Sequence, residues 1–148
     1  MIIYVASSWR NPHQQMVVKA LREKDHEVYD FRNPTPGNHG FAWSSIDPKW
    51  EEWKPDVYRQ ALKHPIAEDG FYLDMDALRR AEACVLVLPC GRSAHLELGY
   101  AAGTGCWTGI LMLEPNEPEL MYKMANGVFI SVDELVDSLD KYASAVPF

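Results

Sequence analysis

Two nearly uninterrupted apolar runs constrain the fold of this chain most. They are Cys84–Leu88 and Thr108–Leu113, and each is bounded by polar or turn-forming residues. Short runs rich in β-branched and aliphatic residues predict strands. A strand that is apolar on both faces is typical of a parallel sheet with helices on both sides. The two runs therefore predict the central strands of a layered α/β fold.

Three further runs and several helical patterns complete this prediction. The remaining strands are expected at Ile2–Ala6, Glu27–Phe31 and Gly127–Ile130. Helical spacing of apolar residues is found over residues 12–24, 55–63, 67–82 and 93–104, and from Ser131 onward. Alternating strands and helices predict a parallel sheet with right-handed crossovers. With five strands the common order is 2-1-3-4-5, as in three-layer flavodoxin- or Rossmann-like folds.

The N-termini of three predicted helices carry capping signals. Asn11 is expected to cap the first helix, with Pro12 at its first helical position. Ser93 or a nearby residue is expected to cap the fourth helix. Ser131 and Glu134 have the spacing of a capping box, which predicts the start of the last helix.

The length of 148 residues fits one domain, 1–148. A Trp-rich insert at about 33–54 interrupts the regular pattern. Loops of this length are usually functional or disordered, and Trp43, Trp50 and Trp53 argue against disorder. Two interpretations stay open, namely an aromatic plug over a sheet edge and a lid that stacks on a planar ligand.

The overall composition excludes several classes of function. With 14 Lys and Arg against 21 Asp and Glu, the net charge of −7 disfavours binding of a nucleic-acid polymer through bulk charge. We find no long apolar run and no signal peptide, so we expect a cytoplasmic protein without a membrane partner. Three cysteines are an odd number, which favours reduced thiols, with Cys84 in the core. Because no Cys/His cluster, P-loop or dinucleotide motif is present, we expect neither a metal nor a cofactor.

The predicted strand order points to two loops. In this order strands 1 and 3 are neighbours whose connections leave toward opposite faces, and ligands bind in the crevice at their carboxyl ends. The loops at this place are Ser7–Asn11 and Cys90–His95. The second loop leads into a helix whose first N–H groups suit an anion. A ligand can approach the backbone closely at Gly91, Ser93 and Ala94, because these residues are small.

The first loop carries residues that suit a phosphate. Arg10 offers a planar guanidinium and Ser8 a hydroxyl group. Simple solvation is the more common state of an isolated loop arginine, so both interpretations stay open here.

Two carboxylates are candidates for chemistry at the crevice. Glu97 lies near the start of the fourth helix, which we expect to be largely buried, and a carboxylate there is either a surface group favoured by the helix dipole or a functional one. On the third helix, Asp74 shares a predicted buried stripe with Phe71 and Leu78, whereas Asp76 lies about 200° away. A pair of carboxylates can divide the roles of nucleophile and general acid in the cleavage of a glycosidic bond.

Tyr4 lies on strand 1, next to the predicted crevice. Its hydroxyl could donate a hydrogen bond to one of the carboxylates, although a plain core aromatic is the more common role of such a residue.

Three segments together resemble one known family. They are Ile3–Arg10, with the sequence IYVASSWR, Asp74, and Ser93–Ala101, with the sequence SAHLELGYA. In these segments the chain resembles the nucleoside 2-deoxyribosyltransferase-like family, and within it the deoxynucleoside monophosphate N-glycosidases most. The resemblance covers strands 1 to 4 and leaves the Trp-rich insert unexplained.

The resemblance implies a role for each matching residue. Glu97 corresponds to the nucleophile that forms a covalent deoxyribosyl-enzyme, and Asp74 to the acid that protonates the nucleobase. Tyr4 corresponds to the tyrosine that holds the nucleophile. Ser8 and Arg10 correspond to residues that bind a 5′-phosphate. The resemblance also implies a homodimer or a higher homo-oligomer whose neighbouring subunit completes the pocket, with a loose match near Asn126.

One departure from the family pattern bears on the reaction. Transferases of the family usually carry an extra acidic residue in the loop before the nucleophile, where this chain has Cys90, Gly91, Arg92 and Ser93. Loss of an acid and gain of Arg92 favour an anionic substrate bound by Gly91, Arg92 and Ser93.

The leading hypothesis is therefore hydrolysis of the N-glycosidic bond of a nucleoside 5′-monophosphate, with 2′-deoxyribose favoured and the base left open. The alternatives are base exchange between deoxynucleosides and a catalytically inactive nucleotide-binding module.

Overall fold

A computed structural model describes residues 1–146 and contains one five-stranded sheet. All its strands are parallel, in the order β2-β1-β3-β4-β5. The strands are β1 (Ile2–Ala6), β2 (Glu27–Asp30), β3 (Ala83–Val87), β4 (Trp107–Leu111) and β5 (Gly127–Phe129). The structure confirms the predicted order and all five predicted strands; the bounds of β1 are as predicted, and those of the other four shift by at most two residues.

Five α-helices connect or flank the strands. They are α1 (Gln14–Arg22), α2 (Pro55–Ala61), α3 (Pro65–Arg80), α4 (Arg92–Gly103) and α5 (Val132–Ala145). Short 3₁₀ turns lie at Trp43–Ser45, Trp50–Glu52 and Leu120–Met124. Among the described helices, none is long and apolar enough to cross a membrane.

The two faces of the sheet pack against different helices. Every residue of β3 and β4 is buried, as the two apolar runs predict. On one face the core joins strand residues to α1 and α5, through Ile3, Val5, Val28, Val85, Leu111, Val17, Leu21, Leu135 and Leu139. The other face includes Tyr4 and Cys84, and α4 packs against β1, β3 and β4. Cys84 is fully buried, which confirms it as a core residue.

The described chain divides into two compact units. The first comprises Met1–Asp30 and the residues from Leu78 onward, and holds the whole sheet. The second is Phe31–Ala77 and contains the Trp-rich insert. The single-domain organisation over 1–148 stays a prediction.

Aromatic rings order the second unit. The ring of Trp43 meets Phe41 edge-on at a centroid distance of 4.7 Å and Trp53 at 5.7 Å. The indole N–H of Trp53 donates to the carboxylate of Asp47 at 2.7 Å. Trp50 differs, because it is 39% exposed. Two of the three tryptophans are therefore part of a small aromatic cluster inside their own unit.

The hydrogen bonds at the starts of α1 and α5 differ from those that the sequence predicts. The prediction that Asn11 caps α1 is wrong, and Pro12 is not its first residue, because the helix begins at Gln14 after His13. The amide group of Asn11 donates to other backbone groups instead, as described below. At α5 the hydroxyl of Ser131 accepts from the N–H of Glu134, which confirms this half of the capping box, but the Glu134 carboxylate accepts from Ile130.

Candidate active site

Two side chains bind the β1–α1 loop to the carboxyl end of β3. The hydroxyl of Ser7 donates to the carbonyl of Val87 at 2.9 Å. The amide of Asn11 donates to the carbonyls of Val87 at 3.1 Å and Pro89 at 2.9 Å. Asn11 is only 2% exposed, so these bonds are shielded from water. The two loops that the topology singles out are thus held side by side.

The first of these loops presents its charged side chain to solvent. The backbone N–H of Asn11 donates to the carbonyl of Ser8 at 3.1 Å, which closes a tight turn. Ser8 is half-buried, while Trp9 and Arg10 are exposed. Within residues 1–146, Arg10 forms no ion pair. Its guanidinium is available to an anionic ligand.

The second loop ends at an open helix N-terminus. Gly91 is the N-cap of α4, and no side chain caps this helix. Arg92 and Ser93, the first two helical residues, are both exposed. A Cβ atom on Gly91 would meet nothing within 4 Å, so there is open space beside the backbone. The N–H groups of a first helical turn have no intrahelical partner, and an anion can bind them.

The burial of α4 is uneven around Glu97. Leu98 is buried, but Leu96 is 75% exposed, so the expectation of a largely buried helix is wrong on that side. Glu97 itself is half-buried. The helix shields one face against the sheet and leaves the other in water, and Glu97 lies at the boundary.

The charge of Glu97 acts on two cysteine thiols. Burial, and then the nearby Glu97 carboxylate, raise the pKa of Cys90 to about 12. The same two causes, in the same order, raise the pKa of Cys84 well above its ordinary value. Because Cys84 belongs to β3 and Cys90 follows it, the carboxylate lies close to β3 and to the loop behind it.

Tyr4 reaches the same neighbourhood from β1. It pairs with Cys84 in the register of β1 and β3, and side chains at paired positions of a parallel sheet share a face. The Tyr4 side chain is fully buried, and its ring stacks on Tyr29 at 5.2 Å. Tyr4 and Glu97 are therefore both neighbours of Cys84, on the face that α4 covers.

Asp74 lies on α3, in the second unit, and is half-buried. The buried side of the helix there is formed by Ala67 and Ala77, together with Gly70, which faces Phe41 closely enough that an added Cβ would lie 3.1 Å from its ring. Asp74 shares this side by helical spacing.

The expected place of Phe71 in the buried stripe is wrong, since this side chain is 66% exposed. The helix turns its small residues inward and leaves the large ring outside. Asp76, on the far side of α3 from Asp74, is also half-buried. Burial alone therefore does not distinguish the two carboxylates.

Sequence reasoning missed a buried carboxylate, Asp30, and its two glutamine partners near the carboxyl edge of the sheet. Asp30, at the end of β2, is 2% exposed and accepts from the amides of Gln14 at 2.9 Å and Gln15 at 3.1 Å. Its signal in the sequence is a carboxylate at the end of a strand.

Asn126, near which the resemblance loosely places the contribution of a neighbouring subunit, lies at the amino end of β5. Its side-chain oxygen accepts from the N–H of Thr108 at 2.9 Å.

All three cysteines are free thiols. In the described part of the chain, no three His, Cys, Asp or Glu side chains are grouped so that they could hold a metal ion.

Comparison with known proteins identifies the fold. The chain matches no protein-family model and no curated protein. Among solved structures, it is similar to a 2-deoxyribosyltransferase from the psychrotolerant bacterium Bacillus psychrosaccharolyticus, with a TM-score of 0.58 and 18% identity over 91% of this chain and 90% of that one. A CMP N-glycosidase from Clostridium botulinum, BcmB, matches with a TM-score of 0.47 and 16% identity over 93% of this chain and 97% of that one. The first similarity confirms the predicted α/β fold.

Removal of the Asn11 amide should loosen the two loops. We expect Asn11→Ala to lower the free energy of unfolding by about 1–3 kcal/mol, because buried carbonyls lose their donors. Asn11→Asp keeps the acceptor for the His13 N–H but places a carboxylate against two carbonyl oxygens, so its loss should be at least as large. Urea denaturation measures both. The control is Asn116→Ala, whose side chain is half-buried and whose amide makes only an exposed hydrogen bond to the carbonyl of Glu114, and a loss below that of this control would contradict the role of Asn11.

The position of the Glu97 carboxylate can be tested through Cys90. Glu97→Gln removes a negative charge that disfavours the thiolate, so the pKa of Cys90 should fall and its alkylation by iodoacetamide at pH 9 should become faster. Glu82→Gln is the matched control, because Glu82 acts on Cys106, whose pKa is raised to about 11 by burial and then by that carboxylate. Mass spectrometry of labelled peptides separates the two thiols. Equal acceleration of Cys90 by both variants would contradict this placement.

Proposed function

We propose that this protein hydrolyses the N-glycosidic bond of a nucleoside 5′-monophosphate, with a 2′-deoxyribose favoured, and releases the free base. The observation that carries the proposal is the joint placement of Glu97 and Tyr4 on the face of the sheet that α4 covers, where the Glu97 carboxylate also acts on Cys90 in the loop after the carboxyl end of β3. Support also comes from the fold, which is similar to that of a 2-deoxyribosyltransferase, and from the sequence resemblance to that family.

The proposed reaction uses two carboxylates in sequence. Glu97 attacks the anomeric carbon through an oxocarbenium-like transition state, and the bond to the base breaks as Asp74 protonates the leaving nucleobase. The products of this step are a glycosyl ester of Glu97 and the free base. Water then attacks the anomeric carbon and gives its proton to the Asp74 carboxylate, and the bond between this carbon and the Glu97 oxygen breaks, which restores both residues.

Tyr4 has a supporting role in this reaction. Its hydroxyl, on a fully buried side chain, would hold the Glu97 carboxylate in place for attack. The burial favours this role, because a rigid ring holds its hydroxyl in one position.

A separate group of residues would bind the phosphate. Ser8 and Arg10 come from the β1–α1 loop, and Gly91, Arg92 and Ser93 from the start of α4. The hydrogen bonds of Asn11 that hold these loops together support a shared role. Arg10 and Arg92 supply local positive charge on an acidic chain.

Base exchange is the second candidate for the same site. It would use the same glycosyl ester, with a free base in place of water. Arg92, in the loop where transferases of the family usually carry an acid, favours hydrolysis of an anionic substrate. A catalytically inactive nucleotide-binding module is the third candidate, and in that case Glu97→Ala would bind a nucleotide as the wild type does while neither turns over.

We further propose that the protein acts as a homo-oligomer in the cytoplasm. Exposed apolar side chains around the edge strand β5 support self-association, among them Leu120 at 75%, Val128 at 47% and Ile130 at 70% exposure.

The reaction can be tested with a panel of nucleoside and deoxynucleoside 5′-monophosphates, followed by chromatography of the released base. Glu97→Ala should abolish release, and Asp74→Asn should slow it by about 10²–10⁴-fold as expected for loss of a general acid. Glu82 precedes β3, at the amino ends of the strands, so the control variant Glu82→Gln should keep the wild-type rate. Addition of a second free base separates hydrolysis from exchange. Absence of base release from every nucleotide would refute the enzymatic proposal.

The phosphate role of Arg10 predicts a selective loss. Arg10→Ala should raise the KM for a 5′-monophosphate by about 10-fold or more, because a charge-assisted hydrogen bond contributes about 1.5–3 kcal/mol. The KM for the matching nucleoside should stay within about 2-fold of the wild type by the same reasoning. Equal losses for both substrates would exclude a phosphate contact.

A further inference from the structure

His95 joins the start of α4 to the segment between β4 and β5. Its Nδ1 atom lies 2.7 Å from the carbonyl oxygen of Gly91, and its Nε2 atom lies 2.8 Å from the hydroxyl of Tyr122. The two rings are stacked, with centroids 5.7 Å apart and an angle of 17° between their planes. The contact spans 27 residues of sequence.

The partners of the imidazole determine its tautomer. A carbonyl oxygen only accepts, so the hydrogen of a neutral ring lies on Nδ1 and points at Gly91. Nε2 then carries a lone pair and accepts from the Tyr122 hydroxyl. Burial, the nearby Cys90 and the Glu119 carboxylate raise the pKa of Tyr122, which keeps its proton available for this bond.

Cys90 is the other polar group near this ring, with its sulfur 3.8 Å from Nδ1. A thiolate–imidazolium pair is disfavoured, since the pKa of Cys90 is raised to about 12. The main partner of Nδ1 is therefore the Gly91 carbonyl.

The hydrogen bond from His95 to the Gly91 carbonyl lies at the N-terminus of α4, which has no side-chain cap. Gly91 caps the helix without a side-chain cap, and glycine has more conformational freedom than any other residue. The Gly91 carbonyl and the Arg92 N–H belong to one planar peptide group, so a donor that holds the carbonyl also sets the direction of that N–H. The ring of His95 thus adds a second donor to a carbonyl that also accepts from the His95 backbone N–H at 3.4 Å, and so fixes the peptide while leaving the first N–H groups of the helix open.

We propose that His95 and Tyr122 are positioning residues, which hold the Gly91–Arg92 peptide so that the first N–H groups of α4 face the ligand. This inference rests on the proposed function for the identity of the ligand, a phosphate group. Tyr122 orients the His95 ring, and the His95 ring orients the Gly91–Arg92 peptide.

Three variants separate the two bonds. Tyr122→Phe keeps the stacked ring and removes the hydroxyl. His95→Asn keeps a donor at the place of Nδ1, whereas His95→Gln moves the amide to the place of Nε2 and loses the bond to Gly91. Tyr72→Phe is the matched control, since Tyr72 is 65% exposed.

Two readouts are needed, namely ¹⁵N order parameters of residues 91–93 and an NMR titration with inorganic phosphate. We expect wild-type order parameters near about 0.85, with a fall toward about 0.6 in Tyr122→Phe and His95→Gln. His95→Asn should stay closer to the wild type, and Tyr72→Phe should equal it. Phosphate affinity should fall about 3- to 10-fold in the two loosened variants, as expected for one lost hydrogen bond.

The outcomes distinguish this inference from the proposed function. Unchanged order parameters in both Tyr122→Phe and His95→Gln would overturn the positioning role. Lowered order parameters together with a wild type that binds no phosphate would support the positioning role and count against the phosphate site. If Tyr122→Phe does not fold, the comparison of His95→Asn with His95→Gln decides, and equal order in these two would overturn the proposal.

Discussion

The hydrogen bonds of the buried Asn11 amide are the constraint on which the candidate site depends. They join the loop after β1 to the carbonyls at the end of β3. A parallel sheet brings the carboxyl ends of its strands to one edge, but the loops beyond that edge have no sheet hydrogen bonds of their own. Asn11 and Ser7 supply these bonds, so the exposed Arg10 and the start of α4 keep a defined relation.

The surroundings of Glu97 combine buried strands with a partly exposed helix. β1 and β3 are buried and hold Tyr4 and Cys84 in a fixed register. Glu97 lies near them on the partly exposed helix α4, and its charge contributes to the raised pKa of the thiols of Cys84 and Cys90. A carboxylate at such a boundary stays reachable by a ligand while its surroundings are ordered. This combination supports the role that we propose for Glu97.

Long-range contacts explain where sequence reasoning failed. Asn11 carries a capping signal, yet its amide is drawn to β3, and α1 begins three residues later. Phe71 fits a helical stripe, but Gly70 lets the ring of Phe41 approach, so the inward side of α3 is small. The bond between His95 and Tyr122 joins residues 27 apart, and no local pattern marks it. In each case the partner lies in another element.

The sequence by itself determined the strands, their order and the two loops at the carboxyl edge. Hydrophobic periodicity is a local property, and continuous apolar runs such as those of β3 and β4 can only be buried on both faces. The tertiary structure alone decided which polar side chains meet there. The pairing of Asn11 with Val87 and Pro89, the effect of Glu97 on two thiols and the support of Gly91 by His95 depend on distances between remote residues. Such distances are set only when the helices pack on the sheet.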